Sequence, residues 1–179
     1  MSTPLVTMET KAKAEVYHGN QTCRDKFTSL LAAKGLPNGL LTLQDIHECG
    51  YVKDTGFVWL RRRHCRHKMS SKKDSFYRFE NVVISYDTEI TAYFETNKFK
   101  NLTGVKAKEF MIWVNLTEIY VQQSPSSTSM ITFKTPVGLS RSFPVSVFEA
   151  GAVAVKGKKN MLKYMLTGYE NMLKMELPN

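Results

Sequence analysis

A chain of 179 residues, 42% of them hydrophobic, is long enough for one domain with its own core and short for two. No window approaches 18 apolar residues without a charge, so no transmembrane helix is expected, and Met1 to Lys13 lacks the charged-then-apolar pattern of a secretory signal. The net charge of +9 is concentrated: Arg61 to Arg78 holds eight Lys or Arg and one acid, Asp74, a local +7.

A field of that kind favours an anionic partner, phosphate backbone or lipid headgroup, and a merely solvated loop is the equal alternative. Three cysteines, Cys23, Cys49 and Cys65, form no framework spacing and suit a reducing compartment. The expected location is therefore intracellular and cytoplasmic, peripheral on membranes at most, with the sequons at Asn20, Asn101 and Asn115 unused.

In chain order, residues 1–35 read as an N-terminal helical segment. Good helix formers run from Met8 to Tyr17, and Asn20 is placed to cap a second helix with Cys23, Phe27, Leu30 and Leu31 on one face. Gly35 and Pro37 supply its stop.

From Leu36 the punctuation turns to β. Ile46 to Val52 and Phe57 to Arg63 flank Lys53-Asp54-Thr55-Gly56, a hairpin signal. Further strands are expected at Phe79 to Tyr86, Glu89 to Glu95 and Lys98 to Thr103. The densest apolar run, Phe110-Met111-Ile112-Trp113-Val114, reads as a central strand buried on both faces.

After the polar loop Ser124 to Ser129, Met130 to Lys134 and Leu139 to Phe143 flank a second hairpin turn, Thr135-Pro136-Val137-Gly138. Ser146 and Glu149 match a capping box, which predicts a short helix from about Val147. Eight or nine short strands suit a small, closed or nearly closed antiparallel β-barrel over 36–149. In the tail, 150–179, the segment Asn160 to Met175 reads as an amphipathic helix with Met161, Met165, Tyr169 and Met172 on its apolar face.

Ordered blocks identify a resemblance. Leu36-Pro37-Asn38-Gly39-Leu40-Leu41, Cys49-Gly50-Tyr51, Thr55-Gly56-Phe57-Val58-Trp59-Leu60, Ser85-Tyr86-Asp87-Thr88-Glu89 and Leu102 to Glu109 occur in sequence. Ile112-Trp113-Val114, Phe133-Lys134-Thr135-Pro136, Gly138-Leu139-Ser140-Arg141 and Phe143-Pro144-Val145-Ser146 follow. Together, over roughly Ala12 to Glu149, these are similar to the plant family called domain of unknown function 538. The resemblance implies a small β-barrel with a flanking helix. It also implies either an amphipathic-lipid binder like bactericidal and permeability-increasing proteins or an esterase-like activity on chlorophyll. Two stretches depart from the family pattern: Lys68 to Tyr77, which reads as extra length, and the tail after Ala150.

Catalytic and metal chemistry have little sequence support. Gly138-Leu139-Ser140-Arg141-Ser142 misses the nucleophile-elbow pattern at its last position and lies in a hairpin. Ser85 has Asp87 and Glu89 nearby but no neighbouring His. His47, Cys49, His64, Cys65 and His67 are a cluster without paired CxxC spacing. There is no GxGxxG and no P-loop, and no cofactor is implied. Nucleic acid could use Arg61 to Arg66 with Phe76, Tyr77 and Phe79, but those aromatics follow the charges instead of interleaving with them.

The expected function is thus non-enzymatic binding of an anionic membrane surface or other amphiphile through a basic loop and the barrel. The headgroup contacts are Arg61, Arg62, Arg63, Arg66, Lys68, Lys72 and Lys73. The apolar contacts are Met161, Met165, Tyr169 and Met172. An esterase-like hydrolase and a protein-interaction module are the alternatives.

Overall fold

The computed structural model describes residues 6–41, 43–63, 75–79, 82–109, 112–123, 128–149 and 153–155. The N-terminal reading is half right. Helix α1 covers only Met8–Ala12, with the Thr7 hydroxyl accepting from the Thr10 amide. Glu15–His18 is instead a strand, β1, because Val16 and Tyr17 favour extended chain and the edge of β2 (Ile46–Val52) offers them a ladder. Helix α2, Asn20–Ala33, forms as expected and buries Cys23, Phe27 and Leu31. Asn20 is its first helical residue, not its cap, and its Oδ1 accepts from the Ile46 amide.

The hairpin of β2 with β3 (Phe57–Arg62) forms around the predicted four-residue turn. The next two predicted strands are redrawn. A strand β4 occupies Ser75–Phe79, and β5 runs unbroken over Val82–Glu95, through Asp87 and Thr88.

β6, Lys98–Glu109, is β5's antiparallel partner, and their ladder changes register between Tyr86 and Thr91. Five steps along β5 there match two along β6, a bulge that bends the strand and re-aims its two halves. Gly104 makes this possible: it sits at φ +75°, and a Cβ there would collide with the Glu89 carbonyl oxygen.

Both long strands branch. The upper half of β5 pairs with β4, and its lower half pairs with β3. On β6, Lys106 to Glu109 pair with β7 (Ile112–Asn115), while Lys98 and Phe99 pair with β8 (Glu118–Gln122). Beyond β8 come β9 (Met130–Lys134) and β10 (Ser140–Pro144), and a short β11 (Val153–Val155) pairs with β4. Among the described residues all pairings are antiparallel, and their eleven strands form one sheet whose main path ends at β1 and β10.

The barrel is therefore not closed by hydrogen bonds. What joins its two sides is packing. The predicted helix at Val147 is a 3-10 turn, Val145–Phe148, entered from Pro144 without a side-chain cap. It drives the fully buried Phe148 between Phe79 of β4 and Phe133 of β9, with ring centroids 4.8 and 5.2 Å away. Phe27 and Leu31 of α2 pack into the same core. A cavity of about 30 Å³ lies inside, lined by residues such as Phe27, Leu60, Tyr86, Phe94 and Ile119. That is room for a water or two and not for an acyl chain.

Of the apolar run at 110–114, the described residues Ile112, Trp113 and Val114 do not form a buried core strand. Ile112 is 64% exposed, and Trp113 and Val114 are half-buried. β7 is short and lies past the edge of the core, so these three apolar residues stand at or near the surface. The predicted helix at 160–175, with its Met161, Met165, Tyr169 and Met172, lies outside the described residues, as do Phe110 and Met111.

Phe148 bridges two sheet regions that share no ladder, so truncation should cost more than an ordinary surface change. Phe148→Ala should destabilise the protein by about 3–5 kcal/mol and Phe148→Leu by much less, read from urea unfolding midpoints.

Candidate functional site

The cationic segment starts on β3. Glu48 of β2 is a buried acid, 8% exposed, lying across the hairpin from Arg61. Its Oε1 accepts from Trp59 Nε1 at 3.1 Å and Arg61 at 3.2 Å, and its Oε2 from Lys11 at 2.7 Å. Arg61 Nε also donates to Glu89 on β5 at 2.6 Å. Two carboxylates thus hold Arg61 in place, and its first task is to neutralise a buried charge.

Arg62 turns to backbone carbonyls, donating to Gln44 at 3.1 Å and Tyr86 at 3.3 Å. Arg63 is exposed, anchored through its amide to the Asp45 carbonyl. Of the remaining predicted contacts, Arg66, Lys68, Lys72 and Lys73 lie outside the described residues.

The direction in which this segment leaves the sheet follows from topology. β3, β4, β6 and β9 run the same way, since β3 and β4 oppose β5, β5 opposes β6, and β8 opposes both β6 and β9. Their C-terminal ends therefore point the same way but stop at different levels. Thr117 donates its amide to Lys134 and accepts from the Leu102 amide, so β9 ends beside the middle of β6, which continues to Glu109. Lys134 is paired there with Glu118 at 3.8 Å. Lys106 is paired with Asp87 at 3.2 Å, and Lys108 lies 5.2 Å from the Trp113 ring centroid.

Sequence reasoning missed the apolar side chains here. Val137 and Leu139, 77% and 66% exposed, stand in the β9–β10 turn, where polar residues are the rule. That mismatch was the available signal.

The catalytic and metal candidates are placed as follows. The Ser142 hydroxyl lies 2.7 Å from that of Thr132, Ser140 is exposed, and Ser85 is buried. No described serine is hydrogen-bonded to a histidine. Of the His/Cys cluster only His47 and Cys49 are among the described residues. Cys49 is buried beside Cys23, whose thiol donates to the Tyr17 carbonyl at 3.4 Å, and burial pushes both thiols above their ordinary pKa. A raised pKa keeps a thiol unreactive. Among the described residues no group of three or more His, Cys, Asp or Glu is arranged to hold a metal ion, and no helix is long and apolar enough to cross a membrane. At the opposite end an open cleft of about 830 Å³ lies between Leu36, Val121, Gln123, Ser129 and Ser146.

Residues 27–149, more than half of the chain, match the family described as protein of unknown function, DUF538, and the chain belongs to that family. No curated protein and no solved structure is significantly similar to it.

Burial alone would raise the Glu48 carboxyl, but hydrogen bonds from Lys11 and Trp59 and the charges of Lys11 and Arg61 outweigh it and hold it below the usual range. Glu118, held by Lys98, is likewise lowered. A lowered folded-state pKa contributes stability that is present above the ordinary carboxyl range and lost as pH falls through the folded value. Unfolding free energy should therefore drop on acidification below about pH 4.5. Glu48→Gln should flatten that slope and, at neutral pH, cost about 1–3 kcal/mol by leaving Lys11 without its carboxylate and Arg61 with Glu89 alone. Urea melts across a pH series check both.

Proposed function

We propose that the protein binds anionic membrane surfaces peripherally, without catalysing a reaction. The observation that carries this reading is the concentration of charge. Eight basic residues and one acid stand within Arg61 to Arg78, and the stretch leaves the sheet beside an exposed Arg63. Near an anionic bilayer each Lys or Arg contributes about 1 kcal/mol, so three or four engaged side chains give a measurable affinity. Arg63, Arg66, Lys68, Lys72 and Lys73 are the headgroup contacts, with Arg61 and Arg62 anchoring the segment to β2 and β5.

Contact is at the surface, since the described core has space for a water or two and not for a lipid tail. An amphiphile meets the outside of the sheet, not a hollow barrel. The Met-rich tail face, Met161, Met165, Tyr169 and Met172, adds apolar contact.

Flotation of the full chain with phosphatidylcholine vesicles, with and without phosphatidylserine or a phosphoinositide, tests this. Binding should require the anionic lipid, fall with salt, and drop by roughly 100-fold or more when Arg63, Arg66, Lys68, Lys72 and Lys73 are all changed to Ser. Absence of flotation at low salt overturns the reading in favour of a protein partner.

A further inference from the structure

The main path of the sheet stops at β1 and at β10, and the two ends are not alike. β1 runs straight into α2, whose Lys26 reaches over the Tyr17 ring at 4.6 Å. β10 has β9 on one side and no described strand on the other. Its Ser140, Arg141, Ser142 and Pro144 are exposed, and Phe143 is half-buried.

The hydrogen bonds at its two ends fix which backbone groups β9 uses. The Thr135 amide donates to Leu139 O at 2.8 Å, and the Val145 amide donates to Ser129 O at 3.0 Å. An antiparallel ladder bonds alternate residues only. Between those points, therefore, Arg141 and Phe143 turn their amides and carbonyls toward their partners Phe133 and Ile131. Ser140, Ser142 and Pro144 turn theirs outward. The Ser142 hydroxyl lies 2.7 Å from that of Thr132, but no backbone amide or carbonyl of these three has a partner among the described residues. Since Pro144 lacks an N–H, the edge offers two donors and three acceptors. Edges are ordinarily blunted by a lysine, a bulge or a central proline. Here the middle positions are serines, and the proline stands at the end.

We propose that β10 pairs antiparallel with β10 of a second copy about a two-fold axis at Ser142, joining two sheets into one. In that register Ser142 faces Ser142 and Ser140 faces Pro144. Each copy donates from Ser142 to the Ser142 carbonyl and from Ser140 to the Pro144 carbonyl, so every outward donor is used. The missing Pro144 N–H falls opposite the Ser140 carbonyl at the outer end of the ladder, where water serves it. Arg141 stands across from Phe143 of the second copy, a ring type it already approaches at 5.4 Å within its own chain. Leu139, 66% exposed, stands across from Val145 of the second copy, which gives it the apolar cover its own chain does not.

The occupant is a second copy because the pattern complements itself. Leu139 to Val145 also carries a single charge in a chain of net +9, so like-charge repulsion is small along this strip. The interface is short, at the low end for specific complexes, and the dimer is accordingly concentration-dependent.

Sedimentation velocity of the full chain over a concentration series should show a reversible monomer–dimer equilibrium and nothing larger. Ser142→Pro removes the central N–H, which β9 does not use, and by symmetry deletes two hydrogen bonds at once. The dimer should weaken by roughly tenfold or more. Ser142→Ala, which loses the hydroxyl and keeps the N–H, should leave dimerisation unchanged. Amide hydrogen exchange on the unaltered protein gives a reading that needs no variant. The Ser140 and Ser142 amides should be protected only at concentrations where the dimer forms, and the Arg141 and Phe143 amides at all of them. A chain that stays monomeric throughout, a dimer that Ser142→Pro leaves intact, or Ser142 exchange that does not slow with concentration overturns the proposal. So does growth into an open series of larger species, the mark of a head-to-tail contact between β10 and β1.

Discussion

The structure depends on the long ladder between β5 and β6 and on the bulge within it. Every other strand hangs from those two directly or through one or two neighbours, and the bend at Asp87 to Ile90 lets each strand serve two partners on one edge. The lower halves carry β3 with β2 and β1, and β8 with β9 and β10. The upper halves carry β4 and β7. Without the close approach of Gly104 to Glu89 the strands could not stay paired through the bend. The sheet would then lose either its branch or its curl. Phe148 and α2 complete what the hydrogen bonds leave open, so the molecule has a barrel's filled interior without a barrel's closed ladder.

Charge is divided between two tasks. Inside, Glu48 is an acid that burial alone would penalise, and Lys11, Arg61 and Trp59 compensate it while tying α1 to the β2–β3 hairpin. Outside, charge accumulates just past Arg62. The boundary between structural and solvent-facing cations falls within three successive arginines, so a run of like residues need not share one role.

Much of the β architecture was legible because its signals are local. Asp54-Thr55-Gly56 between two apolar runs, and Pro136 with Gly138 between two more, specify turns, and turns specify antiparallel neighbours. The family assignment was also legible, from ordered blocks along 27–149. What failed depended on tertiary partners. Glu15–His18 looked helical until β2 offered it an edge. Asp87 and Thr88 looked like a break between strands, yet a bulge carries β5 through them, from the residues that pair with β4 to those that pair with β3. Ile112 to Val114 looked like the core because apolar density measures hydrophobicity and not position, and a hairpin overhanging a small core exposes what a longer sheet would cover. The binding segment was legible as charge. Which of its arginines are committed to the fold was not, since Glu48 and Glu89 reach Arg61 only across strand pairings.

The branching of β5 also governs how freely this chain can vary. Arg61 pairs with Glu89, and Ser75 pairs with Tyr86. The segment between Arg62 and Ser75 therefore leaves and rejoins the same edge of the same strand, three residues apart, roughly 10 Å along the strand. Chain closed over so short a gap can be lengthened cheaply, since the entropic cost grows only with the logarithm of its length, about 0.6 kcal/mol for each doubling. The sheet on either side need not register the change. Insertions between β3 and β4, and the charges they carry, can thus be gained or lost with little effect on the scaffold, and in this chain that connection carries a net +4 of the overall +9.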